Sequence, residues 1–191
     1  MDLTRKITLL DAALTEAGLP HAFGGALALA WCTRRARGTI DIDINIFVGV
    51  GDRDRVFGAL PDDVKVTRGD RDILKRDGQV RIWWDHTPVD VFLNTTDYHE
   101  QVASRIRMET FAGSRIPFLS CLDVAVFKAF FNRTKDWADL EEMQAAGTLD
   151  QQRVREIIAH YLGDSDERIT ALLELASLSS GGAGPVSPSS G

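Results

Sequence analysis

The segment from Thr39 to Val48, TIDIDINIFV, constrains this chain more than any other. Apolar and polar residues alternate along it, the two-residue period of a β-strand and not the 3.6-residue period of a helix. Ile40, Ile42, Ile44, Ile46 and Val48 are expected on one face, and Thr39, Asp41, Asp43 and Asn45 on the other. Residues two apart on a strand lie about 6.5–7 Å from one another. Asp41 and Asp43 therefore form a carboxylate pair whose charges repel unless a cation lies between them. A hard divalent cation suits such oxygen donors, magnesium first and manganese as its substitute. D-x-D alone is a common pattern, and a strand with an acidic outer face is its plainer reading.

The rest of the chain supplies neighbours for that strand. Leu3, Ile7, Leu10 and Leu14 predict a helix over residues 3–17, stopped by Gly18-Leu19-Pro20. A short extended piece at 20–23 leads into Gly24-Gly25 and a buried helix over 26–33. After the acidic strand, residues 52–60 read as a helix, and 64–67, 72–76 and 79–84 as short strands. Val89 to Leu93 is an apolar strand introduced by Pro88. Residues 97–106 read as a surface helix, and 107–112 with 115–119 as a hairpin around Gly113-Ser114. From Ser120, a fitting N-cap, the pattern is helical to about Ser177, with breaks near Thr134, Gly147 and Gly163. The expected fold is α+β: a mixed sheet with flanking helices over residues 1–119, and a helical C-terminal half over 120–178 covering part of the sheet. The segment 179–191 is rich in Ser, Gly and Pro and is expected to be disordered.

Composition narrows the function classes. The net charge of −6 weighs against tight, non-specific nucleic-acid binding. Arg34, Arg35 and Arg37 nevertheless crowd together ahead of the acidic strand. Lys65, Arg68, Arg71, Lys75, Arg76 and Arg81 make a second basic region, read as a solvated face. No run of about 18 apolar residues suggests a membrane span. The four histidines are scattered without zinc-site spacing. Cys32 and Cys121 sit in apolar stretches and read as buried reduced thiols, which fits a cytoplasmic protein.

Further residues give the acidic pair a chemical meaning. Gly24-Gly25 stands between a strand and a helix, where glycines let backbone N–H groups approach phosphates at a helix N-terminus. Asp90 interrupts the apolar strand 89–93 and faces away from Val89, Val91 and Leu93. A shared metal with Asp41 and Asp43 accounts for an acid there. The chemistry expected of this set is an in-line displacement at the α-phosphate of a nucleoside triphosphate. Asp41 and Asp43 would hold the nucleotide-side metal; Asp90 would hold a second and accept the proton of the attacking hydroxyl. Lys128, set in an apolar helix, either snorkels to solvent or serves a charged site. Asp136 and Asp139, about one helical turn apart, either orient Lys128 or Arg133 or are ordinary acids of a helix start.

Gly24-Gly25 followed by Arg37-x-Thr39-x-Asp41-Ile42-Asp43 resembles the signature of the DNA polymerase β-like nucleotidyltransferases. The arginine-x-threonine is similar to that of the AbiEii and MenT-type toxins of bacterial toxin–antitoxin systems. Lys128, Arg133, Asp136 and Asp139 resemble their later motif. The resemblance implies catalytic roles for Asp41, Asp43, Asp90 and Lys128, and nucleotide contacts by Gly24, Gly25, Arg37, Thr39, Lys128 and Arg133. It also implies transfer of a nucleotide, often a pyrimidine, to the 3′ acceptor end of tRNA, and a partner antitoxin; some antitoxins of the group modify a hydroxyl at the position of Thr39, a regulatory site in this reading. A small-molecule acceptor such as an aminoglycoside, a protein acceptor, and a binding module without catalysis remain alternatives.

Overall fold

The computed structural model describes residues 1–180, which fall into two compact units divided between Val124 and Ala125. The tail expected to be disordered lies outside the described residues, apart from Ser179 and Ser180. Those two close the last helix.

The first unit is built on one seven-stranded mixed sheet. Its elements are α1 (Leu3–Glu16), β1 (His21–Phe23), α2 (Gly25–Thr33), β2 (Ile42–Gly49), a 3-10 turn at Val50–Asp52 and α3 (Arg53–Ala59). There follow β3 (Val64–Lys65), α4 (Arg68–Asp77), β4 (Gln79–Trp84), β5 (Thr87–Asn94), α5 (Asp97–Ala103), β6 (Arg107–Phe111) and β7 (Ser114–Phe118). The strand order is β3-β4-β5-β2-β1-β7-β6. β2 pairs parallel with β5 and antiparallel with β1; β1 in turn pairs parallel with β7. The acidic strand is thus central in the sheet, and Ile42, Ile44 and Ile46 are fully buried. α1 is capped by Asp2, which accepts a hydrogen bond from the Arg5 N–H at 2.8 Å, and it buries Ile7, Leu10 and Leu14. Each such side chain contributes about 1.5–3 kcal/mol on leaving water.

Three expectations need correction. Alternation does not extend back to Thr39: pairing of β2 with β5 begins at Ile42 opposite Val89, and Ile40, with no strand beside it, is 81% exposed. Asn45 and Phe47 are buried along with the isoleucines, because a central strand is covered on both faces. Residues 72–76 form no strand. They lie within α4, which starts at a capping box between Thr67 and Asp70 and ends at Gly78 with φ +69°. A single buried residue, Leu74, gives that helix a weak apolar stripe.

The cysteines are not free thiols. Cys32 and Cys121 form a disulfide with Cα atoms 5.5 Å apart. The topology explains the meeting. β1 and β7 are parallel neighbours, with Phe23 opposite Phe118 and the Leu119 N–H donating to the Phe23 carbonyl at 3.0 Å. The helices that follow them therefore leave the sheet at the same end. The thiol argument for a cytoplasmic setting loses its basis. Among the described residues, no helix is long and apolar enough to cross a membrane.

α6 (Cys121–Phe131) begins in the first unit and runs into the second, which continues with α7 (Thr134–Ala145), α8 (Gln151–Leu162) and α9 (Glu167–Ser180). Ser120 caps α6 as expected, its hydroxyl accepting from the Asp123 N–H at 3.1 Å. Within the second unit, Phe130 meets Tyr161 edge-on, and the Arg168 guanidinium donates to the Ala129 carbonyl at 3.1 Å. Leu140, Met143, Val154, Ile158 and Leu172 are buried.

Candidate active site

Strand register brings the acids of the first unit together. Asp43 on β2 lies directly opposite Asp90 on β5, and Asp90 lies opposite Arg81 on β4. Three adjacent strands thus carry Arg81, Asp90 and Asp43 in one row. Asp41 stands just ahead of the first residue of β2.

The glycines fit tightly against this row. The Gly24 N–H donates to the Asp43 carbonyl at 2.9 Å, and Gly24 caps α2. Gly25 has φ +51°, and a Cβ there would lie 1.9 Å from Asp43 Oδ2. A Cβ on Gly24 would come within 3.1 Å of both Asn45 Nδ2 and Leu119 Cδ1. No larger residue lets the first turn of α2 rest on the Asp43 carboxylate in this way.

Thr39 reaches the site from the loop that precedes β2, not from the strand. Its hydroxyl donates to Asp41 Oδ1 at 2.6 Å. Arg37 is half-buried in the same loop, whereas Arg34 and Arg35 are exposed.

Arg81 was read from the sequence as part of a solvated basic face, and the structure gives it a different place. Its Nε donates to Asp90 Oδ1 at 2.7 Å and its Nη2 to Asp90 Oδ2 at 2.5 Å, while Asp41 Oδ2 lies 3.7 Å from Nη2. The hydrogen bonds to Asp90, against the opposing effect of burial and with the added charges of Asp90, Asp41 and Asp43, hold Arg81 above even its ordinary high pKa. A signal for this was present. Trp84 and Thr87 pair across a tight turn at Asp85-His86, and the same register carried back along the hairpin sets Arg81 opposite Asp90.

Lys128, Arg133, Asp136 and Asp139 belong to the second unit and form their own network. Lys128 Nζ donates to Asp139 Oδ2 at 2.5 Å and stands 3.6 Å from Asp136 Oδ1. Arg133 binds Asp136 through Nε at 2.6 Å and Nη2 at 3.1 Å. Burial pushes the Asp136 carboxyl up, but the bonds from Arg133 and the charges of Lys128 and Arg133 outweigh it and leave its pKa below the usual carboxylate range. Asp136 and Asp139 are thus paired with the two cations.

No protein-family model matches the sequence, and no curated protein matches it. Solved structures match in fold. The antibiotic-resistance factor ANT(2'')-Ia, in its solution structure, aligns with a TM-score of 0.57 at 16% identity, over 92% of this chain and 97% of that one. The fold resembles that of nucleotidyltransferases. Lincosamide antibiotic adenylyltransferase LnuA, with lincomycin bound, aligns at 0.51 and 12% identity, over 74% of this chain and 96% of that one. An antigenic nucleotidyltransferase-like protein from Paracoccidioides brasiliensis aligns at 0.50 and 13% identity, over 90% and 92% of the two chains.

The row of acids can be tested for a divalent cation. Among the described residues, no three His, Cys, Asp or Glu side chains are already gathered around a common centre. The donor chemistry nonetheless fits: oxygen ligands suited to a hard cation, Asp43 and Asp90 facing each other across one strand gap, and a guanidinium already drawn to Asp90. Asp41, Asp43 and Asp90 are the residues that would hold the ion.

Proposed function

We propose that the chain is a metal-dependent nucleotidyltransferase that moves a nucleoside monophosphate from a nucleoside triphosphate to a hydroxyl acceptor and releases pyrophosphate. The observation that carries this reading is the alignment of Asp43 with Asp90 in adjacent parallel strands, beneath a helix start that only glycines permit. A divalent cation, when bound, supplies electrostatic stabilisation of the charge on the entering and leaving oxygens. Gly24 and Gly25 open the backbone at the N-terminus of α2 to phosphate oxygens. Asp90 would accept the proton of the acceptor hydroxyl. Arg37 would neutralise triphosphate charge as the bond to pyrophosphate breaks.

The acceptor we favour is a small hydroxylated molecule. Support comes from the fold likeness to ANT(2'')-Ia, which takes in nearly the whole of both chains, and to LnuA, over 74% of this one, and from the net charge of −6. The second reading is a toxin that transfers a nucleotide, often a pyrimidine, to the tRNA acceptor end and is held in check by an antitoxin. Two features favour it. Arg34 and Arg35 are exposed beside the site loop, and the Thr39 hydroxyl rests on Asp41, where an added phosphate or nucleotide would set negative charge against the carboxylates.

The test is transfer of label from each of the four α-labelled nucleoside triphosphates, with magnesium, onto total tRNA and onto a panel of aminoglycosides and lincosamides. Asp41→Ala runs alongside. Label on an antibiotic that vanishes with the variant establishes the first reading, and label on RNA the second. No transfer to any acceptor from folded, unmodified protein overturns both. Full activity of Thr39→Glu would exclude regulation at that hydroxyl.

A further inference from the structure

Arg81 is not accounted for by the transfer chemistry, yet it makes the most direct contact with the acids. Its guanidinium engages both oxygens of Asp90 through two parallel bonds, of 2.7 and 2.5 Å. A metal ion at Asp90 needs at least one of those oxygens, so ion and guanidinium, both cationic, compete for the same carboxylate. The competition is reversible by design of the strand. Arg81 sits on the outward face of β4, alternating with buried Val80, Ile82 and Trp84, and is about half exposed. Its head can therefore leave for solvent, whereas Asp90, 17% exposed, needs another cation in its place.

We propose that Arg81 is a resident counter-cation that closes Asp90 to divalent metal in the free protein and yields the site only when metal arrives together with a triphosphate. The inference rests on the metal reading given above for Asp41, Asp43 and Asp90. The triphosphate matters because it gives the displaced guanidinium a new anionic partner. Metal alone offers none and would leave two cationic groups, ion and arginine, crowded on the same carboxylates. Arg81 is thus a positioning residue that sets the order of binding: metal and nucleotide enter as one unit, and Arg81 passes from carboxylate to phosphate as they do.

The experiment is manganese binding to the whole chain by titration calorimetry without nucleotide, for the natural protein and for Arg81→Gln, with unfolding curves to show that both are folded. A second arm measures binding of a labelled, non-hydrolysable α,β-methylene triphosphate at saturating manganese by equilibrium dialysis. The expected result is weak manganese binding by the natural protein and binding about tenfold or more tighter by Arg81→Gln. Arg81→Gln should also hold the analogue more weakly. Equal manganese affinity of the two proteins overturns the inference. Arg81→Lys keeps the charge but loses the paired bonds. It should fall between the two, and it serves if the glutamine variant does not fold; a lysine variant matching the natural protein would count equally against the inference. If manganese binds none of the proteins and fails to strengthen analogue binding, the metal reading itself falls. That outcome is distinct from one in which metal binds and Arg81 makes no difference.

Discussion

Two networks of carboxylates and cations occupy this molecule, one in each unit, and they differ in access to water. In the first, Asp41 is 33% exposed, Asp90 17% and Arg81 51%. In the second, Asp136 is 1% exposed, Asp139 14% and Lys128 12%, and Arg133 alone reaches solvent, at 52%. The closed network holds its charges by mutual neutralisation, so removing one partner leaves another stranded in a poor solvent. The open network can exchange its cation with the surroundings, and this freedom suits acids meant to take up a ligand.

The largest effect expected of this contrast is on stability. Asp136→Ala takes from Arg133 its paired partner and leaves Lys128 with Asp139 alone, and should cost about 1.5–3 kcal/mol. Denaturant unfolding followed by tryptophan fluorescence, to which Trp137 in the same unit contributes, reads it. A loss below about 1 kcal/mol would erase the distinction between the networks. Asp41→Asn should do the reverse. Transfer should fall by about 10²–10³-fold, as when a group that stabilises the transition state is lost, while stability changes by no more than about 1 kcal/mol. Paired activity and unfolding measurements on this one variant would break the comparison if stability fell and activity held.

Gly25→Ala tests the close approach in the open network. The new methyl group would meet Asp43 Oδ2 at 1.9 Å, on a backbone with φ +51°. The strain should cost about 1–3 kcal/mol, with an activity loss larger than that of an alanine at Gly38, whose Cβ would meet nothing within 4 Å. The smallest effect concerns acid. Asp136 is held below its ordinary pKa in the folded protein, so its contribution to stability is present above the unfolded value of about 3.9 and is lost as pH falls through the folded one. Asp136→Asn should lack that part of the acid slope, which pH-dependent unfolding of the two proteins would show.

Much of the open network was legible in the sequence, because it rests on local patterns. Alternation identified β2 and β5, and the glycine pair between strand and helix marked the turn that rests on Asp43. What sequence reading missed depends on register and topology more than on local pattern. Arg81 faces Asp90 through hairpin register. Cys32 meets Cys121 because two parallel strands release their helices at one end of the sheet. The helix α4 was mistaken for a strand for a different reason: with Leu74 as its buried contact, its capping box and closing glycine were the only strong signals. Alternation also overreached at Thr39 and Ile40, since a strand begins where a neighbour is available to pair with it.

The bond between Cys32 and Cys121, 89 positions apart, turns the chain between them into a covalent ring. Asp41, Asp43, Arg81 and Asp90 all lie on that ring. A protease that cuts once anywhere along it, including the exposed arginine loop at 34–37, opens the ring but releases no fragment. The acids stay tethered at a fixed contour distance and can re-pair in the sheet, so a nicked molecule keeps the makings of its site until the disulfide is reduced.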